Sequence, residues 1–303
     1  MDSTRAETAW RTIDDALAAA LPSAADGLKW LLVQTIASAA QRRALIGSLR
    51  VSPQQRVLDL GCGFGAATLE LASLGDIQVV GLDTDPSALG SARLIGRAVT
   101  DRGGVPVGRA VFSSGDAYAM PFPNGCFDIV FSRFVFQHLD DPEQAAGEVA
   151  RVLAPGGTAC IVDVDDGLSI SEPAPSPAFE RLASGLRSLQ SAKGGDRHIG
   201  RRLAGLLDRQ GLAPGQIIVM PQAAYHRPDP SGPERLIMLE RLRSRRAEIV
   251  GGGYLGAEDF DGALDEFARE DRGPTCEIEA HLAVFATKPG LLATKPDGPA
   301  HAD

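Results

Sequence analysis

The stretch VLDLGCGFGAATLELA, residues 57 to 72, places Gly61, Gly63 and Gly65 at alternate positions behind a short apolar run that contains Asp59. Glycine permits a tight turn between a buried strand and a helix and removes the Cβ atoms that would hold a ligand away. The first amides of the helix stay free to donate. The run reads as a cofactor cradle. Gly61-Cys62-Gly63-Phe64-Gly65-Ala66 also satisfies the G-x-G-x-x-G/A template of a dinucleotide site, with Asp83 about 20 residues on for a ribose hydroxyl. By itself the glycine spacing leaves the cofactor open.

The elements that must position these residues follow from periodicity. Short apolar runs (RVLDL, IQVVGLD, RAVFSSGD, FDIVFSR, TACIVDV) alternate with helical segments between residues 56 and 164, the rhythm of βαβ units and a parallel sheet. Asp85 caps one helix with Pro86 in its first turn, and Asp141 and Pro142 start another. Ahead of the glycines, Trp10, Ile13, Leu17 and Leu21 predict one helix, and a second runs from Leu28 to about Leu49. After Val164 come a proline-rich entry, SEPAPSPAF, a helix from about Phe179 to Gln190, another from about Ile199 to Gln210, and the strand QIIVM. A long polar and helical insert from His226 to about Gly273 precedes the last strand, CEIEAHLAVFATK, which is expected to pair antiparallel with its predecessor.

A chain of 303 residues with 44% hydrophobic and 5% aromatic content suits one large α/β domain with appendages. A net charge of -9 does not favour the phosphate-neutralising contacts of nucleic-acid binding, so no nucleic-acid partner is expected. Cys62, Cys126, Cys160 and Cys276 stand singly among apolar residues, without a C-x-x-C pair or a histidine at metal spacing. They read as reduced core thiols of a cytoplasmic protein with no metal site. MDSTRAETAW lacks the basic-then-apolar pattern of a signal peptide, and no stretch approaches the roughly 18 apolar residues of a membrane span. No membrane is expected.

Further motifs resolve the cofactor. VLDLGCGFG resembles the first motif of the class I S-adenosylmethionine-dependent methyltransferases, in which an acid, here Asp59, sits two positions before the first glycine. VVGLD resembles the second motif, GDAYAMPFPNGCFDIVFSRFVFQHLDDP the third and fourth, and RVLAPGGTACIVDV the fifth. The resemblance spans about residues 50 to 165 and is closest to the small-molecule branch, with its quinone-biosynthesis and natural-product tailoring enzymes. It implies a Rossmann-like, doubly wound, seven-stranded, mostly parallel sheet with an antiparallel last strand, N-terminal helices and helical lid inserts. It also implies S-adenosyl-L-methionine as cofactor, held by Asp59, Gly61, Cys62, Gly63, Gly65, Asp83, Thr84, Asp116, Ala117, Ser132 and Arg133. In that family the residues matching Asp116 and Ala117 meet the adenine edge, the first through its carboxylate and the second through its backbone.

The residues agree with this reading. The cofactor carries no phosphate, and no P-loop lysine follows Gly65. Asp83, at a strand's C-terminal end, is suited to accept from two ribose hydroxyls. Arg133 either reaches the cofactor's carboxylate or holds the sheet edge. His138 is the candidate catalytic base, needed only where the acceptor must lose a proton; the other reading is a histidine bonded to backbone. Tyr225, His226 and His198 are candidates for an acceptor pocket. Arg235, Arg241, Arg243, Arg245 and Arg246 are expected on a solvated helix face, with Leu236, Leu239 and Leu242 opposite; an anionic acceptor or a partner acid is the other reading.

The organisation expected is a helical cap over 1–50, a methyltransferase core over 51–225 with an insert at about 167–198, a lid insert over 226–273, a last core strand over 274–288 and a flexible tail over 289–303. Both inserts are read as lid, with Gly251-Gly252-Gly253 as its hinge; a dimer contact is the other reading, which leaves a homodimer open. The activity expected is methyl transfer to an O, N or C atom of a small organic acceptor, a secondary metabolite or quinone-like molecule. The alternatives are an enzyme that binds the cofactor for another reaction such as a cyclisation, an NAD-dependent oxidoreductase, and a nucleic-acid methyltransferase.

Overall fold

The computed structural model describes residues 3–24, 27–106, 108–226, 233–270 and 275–290. Its centre is a sheet of strands β1 (Arg56–Leu60), β2 (Gln78–Asp83), β3 (Ala110–Ser114), β4 (Phe127–Arg133), β5 (Leu153–Val164), β6 (Ile170–Glu172), β7 (Ala213–His226) and β8 (Thr275–Thr287). The order β3-β2-β1-β4-β5 is parallel throughout, and β8 pairs antiparallel with β5 on one side and β7 on the other. The short β6 extends β5 along the same edge of β8, so eight strands occupy seven positions. Strand order reverses between β1 and β4, the switch point at which open α/β sheets bind ligands.

Side chains alternate across this sheet, which gives it two cores. Val57, Val79, Ile129 and Phe131 face one layer with α1 (Ser3–Ala20), α2 (Lys29–Ala37), α3 (Ala39–Ser48), α4 (Ala66–Ala72) and α5 (Pro86–Asp101). Leu58, Leu82, Val130 and Ile161 face the other, with α6 (Pro142–Val152) and α8 (Leu203–Arg209). The cap has three helices where two are expected, because Ser38 breaks the second one. Asp85 caps α5 as expected, accepting from the amides of Ser87 and Ala88.

The two inserts form one unit. Helix α7 (Pro177–Ala192) packs with α9 (Pro233–Gly251) and α10 (Ala257–Arg269) around a third cluster that includes Ala178, Leu182, Leu242, Ile249 and Phe260. Gly251, Gly252 and Gly253 make the turn from α9 to α10, inside this unit and not at its root, so they are no hinge between lid and core. The arginine-face expectation also needs correction. Leu239 and Leu242 are buried, but Leu236 is 51% exposed, and Arg241 lies 4.5 Å over the Trp30 ring of α2. Cys276 is exposed on β8, unlike the buried Cys62 and Cys160, because this end of the β7–β8 pair extends past β5.

Candidate active site

The register brings the candidate residues to one edge of the sheet. Asp83 pairs with Ser114, Leu60 with Ser132, Arg133 with Val162, and Val164 with His281. The glycine loop turns from β1 into α4 at this edge, with φ of 73° at Gly61, 50° at Gly63 and 77° at Gly65. The three glycines have different tasks. A Cβ at Gly61 would overlap the Val135 side chain, and one at Gly65 would lie 2.5 Å from Phe112, so both serve close packing. At Gly63 the only neighbour is Leu31 of α2 at 3.8 Å, which makes Gly63 the open floor of the cradle.

Two carboxylates define the ends of this loop. Asp83 accepts from the Gly63 amide at 2.8 Å and from the Asp85 amide at 2.9 Å, so its orientation is fixed from two sides. Asp59 is buried and accepts from Thr68 Oγ1 at 2.5 Å. Burial, together with the charge of Asp83, pushes its pKa up to about 7 against the pull of that hydrogen bond and of Arg42. Gly81, opposite Asp59, is a requirement the motif reading missed: a Cβ there would stand 2.7 Å from Thr68 Oγ1 and 2.9 Å from Cys62 Sγ. Burial drives the Cys62 thiol far upward, so it stays protonated.

The remaining cofactor candidates lie around this centre. Asp116 is exposed and accepts from the Tyr118 amide at 3.0 Å, beside the buried Ala117. Thr84 is exposed next to Asp83. Ser132 donates its hydroxyl to the Leu60 carbonyl at 3.1 Å, at the switch point between β1 and β4. Arg133 stacks 3.9 Å over the Phe134 ring, and its Nη2 is buried with no hydrogen-bond partner. Burial and the nearby Arg42 lower its pKa to about 9, which still leaves it a cation at neutral pH. Phe134 holds a φ of 64°, costly for a bulky residue and frequent where function demands it.

His138 ends a single 3-10 turn, Phe136–His138, which Asp163 holds by accepting from the Gln137 amide at 3.1 Å. Burial pushes the Asp163 carboxyl up to about 7. The turn is tied to the lid as well. Gln190 of α7 donates to the Gln137 carbonyl at 2.9 Å and lies 3.4 Å from His138 Nδ1, while Arg197 donates to Gln137 Oε1 at 2.9 Å. His138 is an exposed residue, yet partial desolvation of its ring, with the charges of Arg197, Arg241 and Arg245, pushes its pKa down to about 4. His281, which sequence reasoning missed, packs its ring 4.7 Å from Phe134 and is lowered to about 4 by burial, Arg133 and Arg197. Only the partner strand's register reveals it.

The acceptor-pocket candidates divide. His198 lies with Arg197 and Asp196 on a cavity of about 430 Å³ beneath α7. Tyr225 is 65% exposed on the far reach of the β7–β8 pair, and the His226 side chain lies outside the described residues.

The cradle thus combines a carboxylate fixed from two sides with a guanidinium nitrogen that lacks a hydrogen-bond partner, both at one edge of the sheet. Residues 58–161 match a family model described as a methyltransferase domain. The chain is 36% identical over 129 residues to an ajmaline N-methyltransferase of Rauvolfia serpentina, covering 42% of this chain and 43% of that one. It is 40% identical over 124 residues to a demethylmenaquinone methyltransferase of Thermus thermophilus, covering 41% and 53%. The match thus spans about half the length of these relatives. Among solved structures, the YcgJ protein of Bacillus subtilis shares the fold with a TM-score of 0.53 at 19% identity, covering 82% of this chain and 98% of that one. The glycine loop, Asp59, Asp83 and the switch-point site all lie on the segment that matches the methyltransferase domain family, residues 58–161.

Proposed function

We propose that the protein transfers a methyl group from S-adenosylmethionine to an O, N or C atom of a small organic acceptor held between the sheet edge and the helical lid. The observation that carries this reading is the Asp83 carboxylate fixed beside the open floor at Gly63, under a cap and a lid that meet where Arg241 lies over Trp30. When bound, the cofactor supplies a methyl group activated by a sulfonium centre. Gly61, Cys62, Gly63, Gly65 and Asp59 shape the cradle, Asp83 takes the ribose side, and Asp116, Thr84 and Ala117 border the base side. Ser132 and Arg133 border the amino-acid end. Displacement at a methyl group needs alignment above all, and alignment is what a rigid cradle with a closing lid provides.

Domain roles follow from the packing. The segments 167–198 and 226–273 act as one lid, and the cap over 1–50 closes the cradle from the α2 side. Dimer contact through exposed apolar side chains of the lid, such as Leu236, is the second use we assign to the inserts. The unpaired thiols suit a reducing, cytoplasmic setting. With a net charge of -9, the acceptor is a small molecule and not a nucleic acid.

Two measurements test the reading. Asp83→Ala is expected to leave the fold intact and weaken S-adenosylmethionine binding by about 1.5–3 kcal/mol, the range for hydrogen bonds to a charged group; calorimetry that finds unchanged affinity removes Asp83 from the site. His138 is the base where the acceptor requires one. A pKa held near 4 makes it a weak base that is already neutral at pH 7, so His138→Gln is expected to lower turnover by about 10²-fold, the low end of general-base effects. The rate of the native chain should then fall only as pH drops toward 4. A limb near pH 6.5 would contradict this.

A further inference from the structure

The charges of Arg197, Arg241 and Arg245 bear on His138, and those of Arg133 and Arg197 on His281, on a chain whose net charge is -9. Two are satisfied: Arg197 by Asp166 at 2.6 Å and by Gln137, and Arg245 by Glu248 at 2.7 Å. The other two, Arg133 and Arg241, have no acidic partner within ion-pair distance among the described residues. Arg133 sits at the sheet edge, where the cofactor's carboxylate can answer it. Arg241 belongs to the lid, stacked on Trp30 of the cap, and is partly withdrawn from water among other cations, which lowers its pKa to about 10. Withdrawing a charge from water without a counter-charge is costly, and the cofactor adds to that cost. Its one carboxylate is outnumbered by its ammonium and sulfonium, so the cleft becomes more positive once it is filled.

We propose, on the methyl-transfer reading above, that the acceptor carries an acidic group, a carboxylate or a phosphate, and that Arg241 holds that group near His138. The Trp30 ring fixes the plane of the Arg241 guanidinium, and a fixed planar fork is suited to bidentate binding of either anion. Because Trp30 belongs to the cap and Arg241 to the lid, the acidic group would engage the seam between the two. The same positive field draws an anion out of solution while the rest of the acidic surface repels it.

The test is calorimetry on the full chain loaded with S-adenosylhomocysteine, comparing 4-hydroxybenzoate and phenyl phosphate with neutral 4-hydroxybenzamide. At least one anion is expected to bind about tenfold tighter than the amide, and which one does so separates a carboxylate acceptor from a phosphate acceptor. Arg241→Gln should erase the preference while leaving S-adenosylhomocysteine affinity within about twofold, and Arg241→Lys, which keeps the charge but loses the planar fork, should weaken it. An amide that binds as well as both anions, failure of both anions to bind, or a preference that survives Arg241→Gln overturns the proposal. If Arg241→Gln does not fold, the wild-type comparison and Arg241→Lys decide. Loss of S-adenosylhomocysteine binding by the wild type strikes the methyl-transfer reading instead, so the two failures are distinguishable.

Discussion

Helix α4 and the lid both rely on arginine–carboxylate pairs, but they place them in opposite surroundings. On α4 the carboxylate of Glu70 is fully buried and accepts from Arg42 Nε at 2.6 Å, Arg42 Nη2 at 2.8 Å and Arg43 Nε at 2.8 Å, which fixes α3 to the helix that opens the glycine loop. In the lid the pairs are in solvent, and the apolar cluster around Phe260 holds the helices together. Losing one partner of a buried pair strands a charge, so such a pair enforces a single geometry. Exposed pairs enforce little, and a unit with its own core can shift as a body. The rigid half is the one that must place a cofactor to within fractions of an ångström. On the function proposed above, the half able to adjust is the one that admits and releases an acceptor.

The largest effect should come from breaking the rigid half. Glu70→Gln keeps the side-chain shape but leaves Arg42 buried without its counter-charge, for an expected loss of about 3–5 kcal/mol in urea unfolding. A loss below about 1 kcal/mol would mean that the pair does not fix α3 on α4, and the comparison would collapse from this side.

Phe260→Ala tests the other half. Phe260 is fully buried in the lid cluster, and its truncation should cost about 3–5 kcal/mol of packing within that unit. Cofactor affinity should stay within about tenfold of the parent while acceptor methylation collapses. If cofactor binding disappears as well, lid and cradle form one cooperative unit, and the division drawn between them fails. The variant is also cleaner than excision of residues 230–270, because α7 shares the cluster and excision would expose Ala178 and Leu182.

The same division explains what the sequence disclosed. The cradle was legible because each of its demands falls on a residue whose type is unusual there: glycines where φ is positive or a neighbour presses close, an acid at a strand end, Asp85-Pro86 at a helix start. Gly81 was missed because its constraint comes from Thr68 and Cys62 across the β1–β2 pair and not from its own neighbours in sequence. The lid was legible only as two inserts. Nothing in the spacing of α7 and α10, some 80 residues apart, states that Ala178 and Phe260 share a core. Arg241 misled for a related reason: helical periodicity assigns a charged residue to the solvent face unless it is known that Trp30 waits there. His281 became a site residue through antiparallel register alone.

The smallest expected effect sharpens the comparison most. Arg181 of α7 donates to Glu266 of α10 at 2.8 Å, a pair that spans the two inserts and, by its position, could be taken to hold the lid together. Its side chains are 44% and 57% exposed, however, so water competes for both groups and salt screens them. Glu266→Gln is therefore expected to cost about 0.2–1 kcal/mol, less at high ionic strength, with cofactor and acceptor kinetics unchanged. Denaturant unfolding of the native chain and the variant at low and high salt would measure it. A salt-independent loss approaching that of Glu70→Gln would show that the lid, too, is fixed by ion pairs, and the contrast between a rigid cradle and an adjustable lid would have to be abandoned.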